Sequence, residues 1–191
     1  MAQLSYILDI PRDLPTTITI TQRSERKRLL DELQPSLQYS AKLKSPSLLE
    51  SSTPLAKLPT AVDPFSGFTL HRAPVLRFGV PISVDQLNRL MLASGWPAEK
   101  IPKGSDSTSD ADYTATIWLS KQIGWDVSLR NGWGSKPDGL LIEMYNNYTP
   151  KEKYAPDTVV QALKEIINTE ADAQWYLDMG KSDWDWPLDR L

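Results

Sequence analysis

All seven tryptophans of this 191-residue chain lie between Trp96 and Trp186, whereas proline, serine, threonine and leucine dominate the first seventy residues. Large aromatic side chains remove the most apolar area from water, so this distribution places the capacity for a large core in the second half. The length suits one domain with an appendage better than two independent cores. We accordingly divide the chain into an N-terminal arm over 1–72, partly extended or docked, a core domain over 73–180, and an acidic, tryptophan-containing tail over 181–191.

The composition excludes several chemistries. With no cysteine, the chain forms no disulfide, thiolate zinc site or cysteine nucleophile, and its single histidine is His71. A Ser66–His71–Asp63 triad is disfavoured because residues so close on a loop seldom converge in triad geometry. Neither GxGxxG nor GxxxxGK occurs, so no cofactor is expected. Asp106, Asp110 and Asp112 lack the glycine and distant glutamate of a calcium loop, and no metal is expected. The formal charge is −3, and residues 1–72 hold nine Lys or Arg against seven Asp or Glu. Arg23, Arg26, Lys27 and Arg28, interrupted by Glu25, read as a solvated helix face, and nucleic acid is disfavoured as a partner. Met1–Ile10 shows no basic region followed by an apolar run, and no stretch approaches the roughly twenty apolar residues of a membrane span. The expectation is a cytoplasmic protein without membrane contact. Asn147-Tyr148-Thr149 matches a glycosylation acceptor but is then a chance occurrence.

Periodicity outlines the elements. In the arm, Thr16–Ile20 suits an edge strand, Ser24–Leu33 a short helix, and Ser36–Pro64 an extended segment or linker. Ser45-Pro46 and Thr53-Pro54 have the context of proline-directed phosphorylation, but such dipeptides are common and plain turns are the favoured reading. Pro74–Ile82 reads as a strand. Ser83 with Gln86 forms a capping box, Ile82 with Leu87 a hydrophobic staple, and Gly95 a stop. A second helix starts at Ser109, with Tyr113, Thr116, Ile117, Leu119 and Ile123 on its inner side and Gly124 at its end. Trp125–Leu129 and Leu140–Met144 alternate as strands of a hairpin whose loop contains Trp133. A last helix, expected to be the longest, starts at Pro156 or Asp157 and continues through Trp175 and Leu177 to Gly180. The order predicts an α+β fold, a small, mainly antiparallel sheet packed against about three helices.

Function is less legible. Trp118, Trp125 and Trp175 read as core. Trp96 and Trp133, with Tyr145 and Tyr148, lie in or near loops, where the two indoles either plug the sheet ends or present flat faces to a ligand beside Arg130, Asn131 and Asn146. Trp184 and Trp186 alternate with acids in the tail and suit a docking peptide. Glu143 with Asp126 or Asp138 offers a carboxylate pair, but alternation puts Glu143 on the solvated face. These residues favour a non-catalytic interaction protein that binds a partner protein or itself through the arm and exposed aromatics. The alternative is a small-molecule or carbohydrate-binding domain, or an enzyme, using the Trp96, Trp133 and Tyr148 neighbourhood.

Overall fold

A computed structural model describes residues 20–37, 49–66, 73–101 and 109–179. Its elements run α1 (Ile20–Asp31), β1 (Leu76–Ile82), α2 (Val84–Ala93), α3 (Ser109–Ile123), β2 (Ser128–Trp133), β3 (Leu140–Asn146), α4 (Asp157–Ile167) and β4 (Gln174–Asp178). The fold is α+β, as expected, and the sheet is antiparallel throughout.

Local chemistry sets the helix ends. The Ser83 hydroxyl accepts from the Gln86 backbone at 3.1 Å while Gln86 Oε1 accepts from the Ser83 N–H at 2.9 Å, completing the capping box. Gln86 Nε2 also donates to the Ile167 and Asn168 carbonyls, so one side chain joins the start of α2 to the end of α4. Gly95 takes a φ of +89° just beyond α2. On α3 the inner row is Ala111, Ala115 and Leu119, which pack with Leu87, Leu90 and Met91 of α2. Tyr113 and Ile117, expected inside, face outward. Alanines at i and i+4 let the two helices approach closely, and a ring at that contact would hold them apart.

The longest described helix is α3, not the last. Asn168 adopts a left-handed φ of +53° and ends α4. Residues 174–178 therefore form a strand and not a continuation of that helix. Trp175, Tyr176 and Leu177 are buried in succession, which suits a strand covered on both faces. This strand is the fourth of the sheet; of the expected edge strand Thr16–Ile20, residues 16–19 lie outside the described set, and Ile20 opens α1. Trp133 likewise belongs to β2 and pairs with Leu177 instead of sitting in the hairpin loop.

The strands close into a ring in the order β1–β3–β2–β4, with β4 returning to β1. Two apolar clusters cover it. The first joins Val80, Ile82, Ile142 and Met144 to α2, α3 and α4. The second joins Leu76, Trp175 and Leu177 to Leu33, Leu37, Ala61 and Val62, all from the first seventy residues. Leu55 and Trp175 exchange backbone hydrogen bonds of 2.9 and 2.8 Å, so the segment expected to be a linker adds a bridge to β4.

At the register shift between Phe78 and Gly79 the backbones of β1 and β3 come very near one another. A Cβ on Gly79 would lie 2.1 Å from the Ile142 carbonyl oxygen, whereas one on Gly95 would meet open space. Gly79→Ala should cost about 3 kcal/mol or more by forcing β1 from β3. Gly95→Ala should cost only about 1–2 kcal/mol, from its positive φ. Urea denaturation of the two variants tests this ordering.

Candidate functional site

Inside the ring, alternation turns Leu141 and Glu143 away from Ile142 and Met144. A Cβ on Gly132 would meet Tyr176 and the Leu141 side chain, which shows β2, β3 and β4 converging there. Into this interior β1 sends Arg77. Its Nη1 donates to Glu143 Oε2 at 2.6 Å, and Nη2 donates to Asp178 Oδ2 at 3.0 Å, with Nε in charge contact with Oδ1 at 2.9 Å. Ser128 and Arg130 of β2 also donate to Glu143 Oε2, at 3.1 and 3.2 Å. Asn146 Nδ2 donates to its other oxygen at 3.4 Å. Glu143, expected on a solvated face, is therefore 6% exposed. The closed sheet gives that strand face an interior of its own, and two guanidiniums compensate the buried charge.

Burial acts to lower the Arg77 pKa, but the hydrogen bond with Asp178 and the charges of Glu143 and Asp178 outweigh it and leave the pKa raised. The group therefore works as a fixed cation linking three strands.

The proposed carboxylate pairs do not form with Glu143. Asp138 accepts from the Val84 N–H at 2.8 Å and caps α2, and Asp126 is exposed ahead of β2. Asp63 is held by Lys151 at 3.0 Å and accepts from the Phe65 N–H. His71, Asp106, Trp184 and Trp186 lie outside the described residues. Among those described, no group of three or more His, Cys, Asp or Glu converges on a metal position, and no helix is long and apolar enough to cross a membrane. In the basic cluster of α1, exposed Arg28 pairs with Glu25 and Glu32.

The aromatic candidates are distributed over both clusters. Trp96 packs on the first, and its indole donates to the Lys100 carbonyl at 3.3 Å. Trp133 and Tyr148 pack on the second, where the Tyr148 hydroxyl donates to the Ala73 carbonyl at 2.6 Å. Tyr145 is stacked between Phe78 at 4.8 Å and Tyr154 at 4.2 Å, with Trp175 edge-on to all three rings. Arg130 keeps half its side chain in solvent while bonding Glu143. Asn147 is fully buried, donating to the Val62 and Pro74 carbonyls and accepting from the Leu76 N–H. Its amide is fully engaged in joining the arm to β1, which agrees with the acceptor motif being a chance match.

A cleft of about 530 Å³ opens between the arm and the ring, with Thr53, Lys136, Asp172, Gln174 and Tyr176 among its walls. Gln174 and Tyr176 alternate on β4, but Thr53, Lys136 and Asp172 come from separate loops, so no one periodic signal marks the cleft. Comparison with protein-family models, curated proteins and solved structures finds no match.

Two outcomes follow from the site's electrostatics. Arg77→Met leaves Glu143 and Asp178 without their shared cation and should cost about 3–5 kcal/mol. Arg130→Met, at the half-exposed end, should cost about 1 kcal/mol or less. Thermal and urea unfolding measure both. Burial, then the charge of Asp172, pushes the Tyr176 phenol up to about 12, and Tyr145 and Tyr154 are raised too, chiefly by burial. These phenols favour the fold while neutral. The Tyr176 contribution is complete below its unfolded value of about 10 and is lost as pH rises through about 12. Tyr176→Phe should therefore flatten the alkaline fall in stability across that window, as read by denaturation at stepped pH.

Proposed function

We infer that this protein is a non-catalytic, cytoplasmic binding module that engages a partner protein or a second copy of itself. The observation that carries this reading is Tyr113, 67% exposed, with Ile117, 37% exposed, one turn along the outer face of α3. Intramolecular packing is met by Ala111, Ala115 and Leu119, which leaves an aromatic and a β-branched side chain together in water. Tyrosine at the centre of such a patch supplies large contact area at low entropic cost. The absence of cysteine suits a reducing compartment, and the acidic balance disfavours nucleic acid.

A second reading, a small-molecule or carbohydrate site, draws on the cleft of about 530 Å³, within the range of ligand pockets. Its walls are not the Trp96, Trp133 and Tyr148 neighbourhood. The α3 reading is preferred because Lys136, Asp172 and Thr53 at the cleft are all exposed to water.

The test is sedimentation velocity over a concentration series, with affinity capture of co-purifying chains, for the natural protein and for Tyr113→Ser/Ile117→Ser. Circular dichroism and stability should be nearly unchanged, because neither side chain is buried. Association should fall at least about tenfold, the scale of losing one interface anchor. Unaltered self-association and an unaltered set of captured chains would overturn the reading.

A further inference from the structure

Gln34, just beyond α1, holds the chain at Ser52 and Thr53 through four hydrogen bonds from one amide. Its Oε1 accepts from the Thr53 N–H at 3.2 Å and the Thr53 hydroxyl at 2.9 Å. Its Nε2 donates to the Thr53 carbonyl at 3.2 Å and the Ser52 hydroxyl at 3.3 Å. Beneath this clamp the Ser36 hydroxyl donates to that of Ser52 at 3.1 Å in a buried pair. Two residues further on, Leu55 makes its bridge to Trp175. The clamp therefore stands where the arm is tied both to α1 and to the ring.

Thr53 itself is exposed on the wall of the cleft, immediately before Pro54, in chain that is neither helical nor strand-paired. Of the other Ser/Thr-Pro dipeptides, Ser45-Pro46 lies outside the described residues. Thr149-Pro150 is half-buried, with its hydroxyl accepting from the Asn146 N–H inside a turn.

We propose that Thr53 is a phosphorylation site for a proline-directed protein kinase, and that its modification releases the 49–62 segment from α1 and the ring. The chemistry is ordinary phosphoryl transfer. Thr53 Oγ1 bonds to the γ-phosphorus of ATP, the bond from that phosphorus to the bridging oxygen breaks, ADP leaves, and the hydroxyl proton passes to the kinase's catalytic carboxylate.

The consequence follows from the amide's two ends. Phosphorylation removes the hydroxyl donor that Oε1 accepts and sets a near-dianion against that carbonyl oxygen. Rotating the amide to offer Nε2 to the phosphate would turn Nε2 toward the Thr53 N–H as well, donor against donor. Neither orientation satisfies both groups. On the cleft walls Glu50 stands against Lys136, and Asp172 pairs with Lys164 at 3.6 Å, so the conflict is centred on the Gln34 amide. Release of the segment would uncover the Trp175 face of the second cluster, to which Leu55, Leu58, Ala61 and Val62 now contribute cover. This inference is independent of the exposed face of α3.

The experiment treats the full chain with a purified proline-directed kinase and ATP, maps the phosphate by mass spectrometry, and follows cleavage between residues 49 and 62 by limited proteolysis. The expected result is phosphate on Thr53 of the folded protein and cleavage accelerated by about tenfold or more, the effect of losing roughly 1.4 kcal/mol of local stability. Thr53→Ala should abolish the acceleration and Ser45→Ala should preserve it. Gln34→Ala should accelerate cleavage without kinase, which separates loss of the clamp from added charge. The proposal is overturned if Thr53 of the folded chain stays unmodified, if modified protein is cleaved at the original rate, or if Gln34→Ala leaves cleavage unchanged.

Discussion

From inside a ring only four strands around, Arg77 of β1 reaches Glu143 of β3 and Asp178 of β4, and Glu143 in turn accepts from Ser128 and Arg130 of β2. Every strand thus contributes to one charge-balanced network. A ring this narrow cannot be filled by apolar side chains from all four strands, and Gly79 and Gly132 stand where a Cβ would strike a neighbouring strand or Tyr176. Charge contacts through a long, slender guanidinium stem fill that space and fix the register. A buried ionic cluster of this kind is held by its completeness, because removal of one partner leaves the others charged and unpaired.

Closure then dictates the outside. With the ring closed and Leu55 bridging β4 at Trp175, stability comes from covering the outer surface, and two unrelated parts of the chain supply the cover. The helices take the half bearing Val80, Ile82 and Ile142. The described stretches of the first seventy residues take the half bearing Leu76, Trp175 and Leu177, with Asn147 satisfying the backbone groups of Val62, Pro74 and Leu76 where they meet. The stack of Phe78, Tyr145 and Tyr154 around Trp175 fills the seam between the halves. The outer face of α3 and the cleft beside Thr53 lie outside this cover, and there binding and modification are proposed.

Elements whose information is local were legible in the residues. The Ser83–Gln86 box, the apolar stripe of α4 and the alternation in β3 each lie within one short window, and each element formed there. The last helix and β4 were not separated, because Trp175 and Leu177 satisfy a helical pattern as readily as a doubly covered strand. Helical spacing identifies the stripe that holds Tyr113 and Ile117 without saying which side a neighbour approaches. For the candidate site the gap was wider. Glu143 alternates with apolar residues and so reads as solvated, and nothing near it in the chain announces Arg77, sixty-six positions away. The walls of the cleft likewise combine β4 with loops far apart in the chain, and no period spans them.

Residue order alone settled what depends on neighbours along the chain: the α+β class, the starts of α2, α3 and α4, the turn before Leu140, and the lack of thiol chemistry; α1 starts at Ile20, four residues before the expected Ser24. Tertiary structure decided whether a strand face meets water or a ring interior, which helical residues meet a neighbour, and whether the arm's leucines are buried. Those outcomes depend on groups brought together from far apart, and the free energy of a buried charge or ring belongs to the assembled surroundings, not to the segment that carries it.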